Sequence, residues 1–278
     1  MFEPKHILHP DRLLRLLLLA TAILSGVLVL LTILFIILSA PKSAPASPSE
    51  PVGGTFSPYE DPEYAPPEED GVTLPLTEDA GTEYQDSLIF VGDSLTAHLI
   101  NRGVLTGGSD TKQVWRSETN MINLNSEVTS AKIIFPGTGE KMTIAEAAKK
   151  AQPEIMIITL GTDWGVSYLS EAEFKSCYSD LVKAIQKASP KTKIILQSIF
   201  PVTAGCVNLD NTKIDTANKW VKAVAAENGC RYLDTQSILK DDKNCLKENY
   251  CNSSDGIHMG REAYVAILEY IRTHAPTD

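Results

Sequence analysis

The fold class predicted for residues 87–278 is α/β: a three-layer α/β/α sandwich built on a parallel sheet. Two observations lead there. Ser87–Val91 (SLIFV) and Ile155–Leu160 (IMIITL) are short runs that are apolar at almost every position, and Lys193–Ile199 is built round the apolar stretch Ile194–Leu196, as strands buried on both faces are. Between them lie stretches whose apolar residues recur at helical spacing. Length agrees, since about 190 residues suit one such domain.

The elements follow in order. Ser87–Val91 is the first strand and runs into Gly-Asp-Ser. Thr111–Trp115 is a weaker strand candidate. Lys141–Ala151 reads as a helix stopped near Pro153, and Ile155–Leu160 as the next strand, ending at Gly161. Glu171–Ala188 has Phe174, Cys177, Leu181, Ile185 and Ala188 on one helical face. Lys193–Ile199 is a further buried strand. Asn211–Asn228 is helical, with Ile214, Ala217, Trp220, Val221 and Val224 on one side. Cys230–Leu233 is a short strand and Arg261–Arg272 a closing helix. Ligands of such sheets bind at the carboxyl ends of the strands, so the positions after Val91, Leu160 and Ile199 are where chemistry is expected.

The residues before this domain are of another kind. Residues 16–38 form an uncharged apolar run, longer than the roughly 20 residues that cross a bilayer. Lys5, Arg12 and Arg15 precede it and Lys42 follows, which orients residues 1–15 to the cytoplasm and everything after residue 40 to the outside. A cleaved signal peptide is the alternative, but its apolar core is shorter, about 7–15 residues. No cysteine follows the run to carry a lipid. Residues 39–86 are rich in Pro, Glu, Asp, Ser and Gly and show no periodicity. Such a segment is expected to be a disordered linker, because it cannot bury enough apolar surface to offset its ordering entropy. The expected localisation is therefore the cell membrane, single-pass, with the folded domain extracellular.

The net charge of −10 is concentrated in that linker: residues 41–86 hold eleven acids and one base. The domain is almost neutral, which excludes the basic footprint of a nucleic-acid binder. The five cysteines, Cys177, Cys206, Cys230, Cys245 and Cys251, show neither a CxxC pair nor zinc-like spacing. Cys245 and Cys251 are close enough in sequence to bridge; the alternative is that the cysteines act as small buried hydrophobes.

Two motifs carry chemistry. Gly92-Asp93-Ser94-Leu95-Thr96 places a serine on a strand-to-helix turn, where its own N–H lies at a helix N-terminus and can stabilise an oxyanion. The same residues would also make an ordinary helix cap. Asp255-Gly256-Ile257-His258 offers a base and an orienting carboxylate from one turn, and could equally be a solvated turn. In combination, an early G-D-S-L after the first strand and a late D-G-I-H before the last helix resemble the SGNH/GDSL hydrolases. The resemblance spans about residues 87–278, and Ile194–Val202 (IILQSIFPV) is similar to the bacterial branch.

That resemblance implies a flavodoxin-like sandwich, with Ser94 as nucleophile and Asp255 and His258 as its partners. It implies acyl hydrolysis or transfer, often of acetyl groups on carbohydrates, with no cofactor or metal. Two positions depart from the family pattern. Its third block is G-x-N, whose Asn donates to the oxyanion, whereas this chain reads Gly161-Thr162-Asp163, and an ionised Asp cannot donate. Asp163 either stays protonated and donates through O–H or faces away. The second block normally supplies a glycine N–H; none lies between Ser109 and Pro136, and Ser117 is the positional substitute. The oxyanion hole is therefore expected from Ser94, Ser117 and Asp163.

Other residues admit plain readings. His98 is one turn after Ser94 and reads as an ordinary helix-face histidine. Trp164 and Tyr168 line a sugar cleft or simply pack. Asp93 has a structural hydrogen-bonding role, and the polar loop 240–254 shapes the substrate mouth or does nothing specific. Three functions fit: an esterase removing acyl, chiefly acetyl, groups from a wall or surface glycan; an O-acyltransferase with the same triad; and a non-catalytic glycan-binding module. The partners expected are an acylated glycan or other small ester, and the membrane through residues 16–38.

Overall fold

The computed structural model describes residues 70–277. The apolar run 16–38, residues 1–15 before it and residues 39–69 of the expected linker lie outside the described residues. Among those described, no helix is long and apolar enough to cross a membrane.

A five-stranded, all-parallel sheet is the centre of the fold. Its strands are β1 (Leu88–Gly92), β2 (Val114–Trp115), β5 (Ile155–Thr159), β6 (Lys193–Gln197) and β7 (Arg231–Leu233), in the order β2-β1-β5-β6-β7. Alternation of side chains sorts the apolar strands into two cores. Leu88, Phe90, Ile155 and Ile157 pack with Leu95, Leu99, Ala263, Ile267 and Ile271 on one face. Val91, Met156, Ile158 and Leu196 pack with Phe174, Leu181, Val221 and Val224 on the other. The covering helices are α2 (Ser94–Asn101), α3 (Ile144–Ala151), α5 (Glu171–Ala188), α6 (Asn211–Glu227) and α8 (Arg261–Arg272). The sheet is thus covered on both faces, as its apolar strands require.

Sequence order along the sheet reverses between β1 and β5. In open parallel sheets the crevice at such a switch point is where ligands bind. The loops leaving β1 and β5 carry Ser94 and Asp163 respectively.

Three places differ from the sequence expectation. Lys141–Ala151 does not form one helix: Lys141–Thr143 is a strand, β4, paired antiparallel with β3 (Lys132–Ile134). The helix starts at Ile144 because Thr143 and Glu146 form a reciprocal capping box that sets its first turn. Short helices α4 (Gly165–Tyr168) and α7 (Gln236–Leu239) fill connections to which the sequence reading assigned no element.

The third difference corrects the linker boundary. Residues 70–86 are ordered, although they were expected to be linker. Thr73 bridges Tyr232 in parallel, with the Leu74 N–H donating to Tyr232 O at 2.8 Å and the Tyr232 N–H to Val72 O at 2.9 Å. This segment extends the sheet past β7 and buries Leu74. Helix α1 (Gly81–Ser87) then lies against α8. Arg272 holds the stretch before it, donating to Asp79 Oδ1 at 3.0 Å. An edge pairing, a few apolar residues (Val72, Leu74 and Tyr84) and the Arg272 contacts carry this order, and they are too sparse to stand out from the Pro- and acid-rich sequence around them.

Candidate active site

The crevice is assembled first by backbone constraints. A Cβ on Gly92 would lie 2.0 Å from Thr96 Oγ1 and 2.3 Å from Thr159 O, so only glycine lets α2 fold back this tightly against β5. Asp93 follows as the helix cap. Its carboxylate accepts from the Leu95 N–H at 3.2 Å and from the Thr162 N–H at 3.2 Å. It therefore ties the loop after β1 to the loop after β5, in keeping with the structural role expected of it. Asp93 is fully buried. Burial, and then the charge of Asp163, push its carboxyl up to about 7, against the hydrogen bonds from Thr162 and Leu95.

Ser94 opens α2, half-buried at the mouth of the crevice. Its Oγ lies 3.4 Å from His258 Nε2. On the other side of the ring, His258 Nδ1 is 2.5 Å from Asp255 Oδ2. Asp255 Oδ1 accepts from the N–H groups of Ile257 and His258 at 2.7 and 3.0 Å. Burial acts to raise the Asp255 pKa, but the hydrogen bonds from the His258 ring and the two backbone N–H groups outweigh it and hold the carboxyl well below the usual carboxylate range. An ionised Asp255 can only accept. His258 Nδ1 is therefore the protonated nitrogen, which leaves Nε2 free to take the Ser94 proton. Gly256 makes the turn possible: its φ is +73°, and a Cβ there would meet Thr203 Oγ1 at 2.5 Å. The buried Tyr264 hydroxyl donates to Leu95 O at 2.8 Å and fixes α2 to α8.

The oxyanion side is different. Asp163 faces Ser94, and the Ser94 N–H donates to its Oδ2 at 3.4 Å. Burial raises the Asp163 pKa, with hydrogen bonding to Ser94 and the His258 charge opposing. An acid thus sits beside the N–H that an oxyanion would need. Ser117 lies just beyond β2, but its hydroxyl donates to Met121 O at 2.9 Å and accepts from the Met121 N–H at 3.0 Å. Among the described hydrogen bonds, none joins it to Ser94. The structure therefore brings together Ser94, Asp163, His258 and Asp255, and leaves Ser117 on the neighbouring loop.

The sequence pattern of the GDSL-like Lipase/Acylhydrolase family matches residues 90–266. The chain belongs to that family. Comparison of this GDSL-like protein with curated proteins finds no match. Among solved structures, it is similar to a GDSL-like lipase from Bacteroides thetaiotaomicron VPI-5482, at 17% identity over 73% of this chain and 90% of the other, with a TM-score of 0.42. It is similar to an active-site mutant of a family two carbohydrate esterase from Clostridium thermocellum at 15% identity, over 66% and 61% of the two chains, TM-score 0.44. The periplasmic domain of a lipopolysaccharide acetyltransferase from Salmonella ser. Paratyphi A aligns at 14% identity, over 66% and 82%, TM-score 0.44.

In this GDSL-like domain, one residue read as ordinary is in contact with the site. The His98 ring packs on that of His258, centroids 4.7 Å apart. The only signal for it was its spacing of four residues from Ser94. Trp164, directly after Asp163, and Tyr168, one helical turn further on, are exposed and lean on each other with ring centroids 4.6 Å apart. All five cysteines are free, Cys245 and Cys251 included. The Cys251 thiol instead donates to Ser253 O at 3.2 Å, within the loop that leads to Asp255.

Proposed function

We propose that this chain is a serine esterase that removes acyl groups, chiefly acetyl, from a wall or surface carbohydrate through a Ser94 acyl-enzyme. The observation that carries the reading is the line Ser94 Oγ, His258 Nε2, His258 Nδ1, Asp255 Oδ2, with separations of 3.4 and 2.5 Å at its two ends. Along that line His258 takes the Ser94 proton as Oγ attacks the ester carbonyl, and gives it to the sugar oxygen as the ester C–O bond breaks and the sugar leaves as an alcohol. Water, activated by the same imidazole, then releases the acid and frees Ser94. Asp255 holds the tautomer and stabilises the imidazolium. The 3.4 Å hydroxyl contact is long for a resting hydrogen bond, and such contacts tighten when substrate closes the site.

The carbohydrate part of the proposal is supported by two further observations. Trp164 and Tyr168 are exposed on the segment that follows Asp163, and flat aromatic rings suit the apolar faces of sugars. The sequence before the domain reads as a membrane anchor and an acidic stalk, which would hold the domain outside the cell, next to surface glycans.

A second reading is favoured by one specific contact. The Asp163 carboxyl on the Ser94 N–H opposes oxyanion formation while it is ionised, which fits a module that binds glycan without turnover. Turnover of a small acetyl ester by residues 70–278, set beside Ser94→Ala, separates the two. Turnover that disappears in Ser94→Ala supports the esterase, and no turnover in either favours the binder. Adding a sugar acceptor to the same reaction reveals an O-acyltransferase by the appearance of acylated sugar.

A further inference from the structure

The nucleophile's helix carries a second imidazole. His98 lies one turn after Ser94, and helical side chains lean toward the N-terminus, over the preceding turn. Its ring stands against that of His258 at a centroid distance of 4.7 Å and a tilt of 31°. We propose that His98 is a positioning residue whose ring backs the His258 imidazole and keeps it on the line between Asp255 and Ser94. The inference rests on the reading of Ser94, His258 and Asp255 as a catalytic triad.

The geometry explains why a backing is needed. Asp255 grips the imidazole through Nδ1 alone, and the side chains of His258 and Asp255 are 30% and 32% exposed. A ring held at one atom on an open surface can pivot about that contact. The face of His98 closes one side of the pivot.

The backing is itself fixed. Arg102, one turn further along, donates to Asn252 Oδ1 at 2.8 Å, and the Asn252 N–H donates to His258 O at 3.3 Å. The helix that presents Ser94 is thereby tied to the loop that presents His258, with His98 between them.

His98 is also suited to the charge that develops. Burial, then the charges of His258 and Arg102, push its pKa down to about 4, with Asp255 opposing. It is uncharged while the triad works. When the Ser94 proton moves to His258, a neutral ring face meets the new imidazolium, where a second cation would repel it. His98 gives up no proton and takes none. Its buried Nδ1 has no hydrogen-bond partner among the described residues, so the position asks for a flat ring rather than for a nitrogen.

The test compares the full chain in detergent with its His98→Ala and His98→Phe variants. Two quantities are measured: kcat and KM on a small acetyl ester, and water exchange of the downfield His258 Nδ1–H proton by NMR. We expect kcat to fall roughly tenfold in His98→Ala, KM to stay within about twofold, and Nδ1–H exchange to accelerate. His98→Phe should restore both kcat and slow exchange. Should His98→Ala fail to fold, His98→Gln removes the ring while keeping a helix former. Unchanged kcat or unchanged exchange in the ring-less variant overturns the proposal, as does a His98→Phe variant that behaves like it. Failure of the triad reading shows separately, as turnover that persists in Ser94→Ala or is absent from the wild type. In that case the exchange measurement alone decides whether His98 holds the ring.

Discussion

Replacing Asp163 by Asn tests how this site manages the negative charge of an acyl-transfer intermediate. The Asp163 Oδ2 lies 3.4 Å from the Ser94 nitrogen, so an oxyanion using that N–H would form about 4 Å from the carboxyl. At an effective dielectric of about 20, two such charges repel by about 4 kcal/mol. That is roughly a thousandfold in rate, comparable to the loss of a whole oxyanion-hole donor, about 10²–10³ in kcat. Burial raises the Asp163 pKa, so a protonated fraction persists above the usual carboxylate range. In that form Asp163 can donate through O–H, as neutral acids do in some oxyanion holes. Wild-type activity should therefore fall as pH rises through the elevated Asp163 pKa, while Asp163→Asn should stay active and lose that alkaline fall. The assay is kcat/KM for a small acetyl ester from about pH 5 to about pH 9. Superimposable profiles, or an Asn variant that is weaker at every pH, would refute the reasoning. Stability supplies a check that needs no turnover. A carboxyl whose folded pKa is raised costs nothing below its unfolded value of about 3.9, and its cost grows as pH rises through the folded value. Asp163→Asn should accordingly raise Tm at neutral pH, also relieving Asp93, and the gain should vanish near about pH 4.

Three further outcomes are expected. A serine-directed fluorophosphonate should label Ser94, and His258→Ala should slow labelling by about 10³-fold or more; labelling that survives Ser94→Ala would move the nucleophile elsewhere. A domain starting at Ser87 should melt roughly 3–12 °C below one starting at Asp70. Removing buried Leu74 alone forfeits about 1.5–3 kcal/mol, and a domain of this size shifts about 2–4 °C per kcal/mol; equal melting points in a thermal scan would show that residues 70–86 add nothing. An impermeant protease on intact cells should cut within residues 41–69 and release the domain, and complete protection would place the domain inside.

The sequence by itself determined the parts whose information is local. Ile155–Leu160 declares a strand buried on both faces because every side chain in it but Thr159 is apolar. Glu171–Ala188 declares its helix by spacing, and the structure ends it at the same residues. Gly-Asp-Ser after one strand and Asp-Gly-Ile-His before the last helix each encode a turn complete within a few residues, so both motifs were legible before any fold was known. Asp93 and Gly256 could be expected at such turns for the same reason. Only the tertiary structure decided what those turns face. Strand order sets β1 beside β5, and this brings Asp163 onto the N–H of a serine 69 residues earlier. The same packing sets His98 against an imidazole far along the chain. It leaves Ser117, which had the right position in sequence, bonded to Met121 instead. Contacts of this kind follow from the arrangement of whole strands and helices, and neither periodicity nor a short motif records which loop will lie opposite another. Residues 72–74 make the same point at the sheet edge: hydrogen bonds to Tyr232 and the packing of Val72 and Leu74 on the two cores hold them, and a three-residue pairing is too short to announce a strand in sequence.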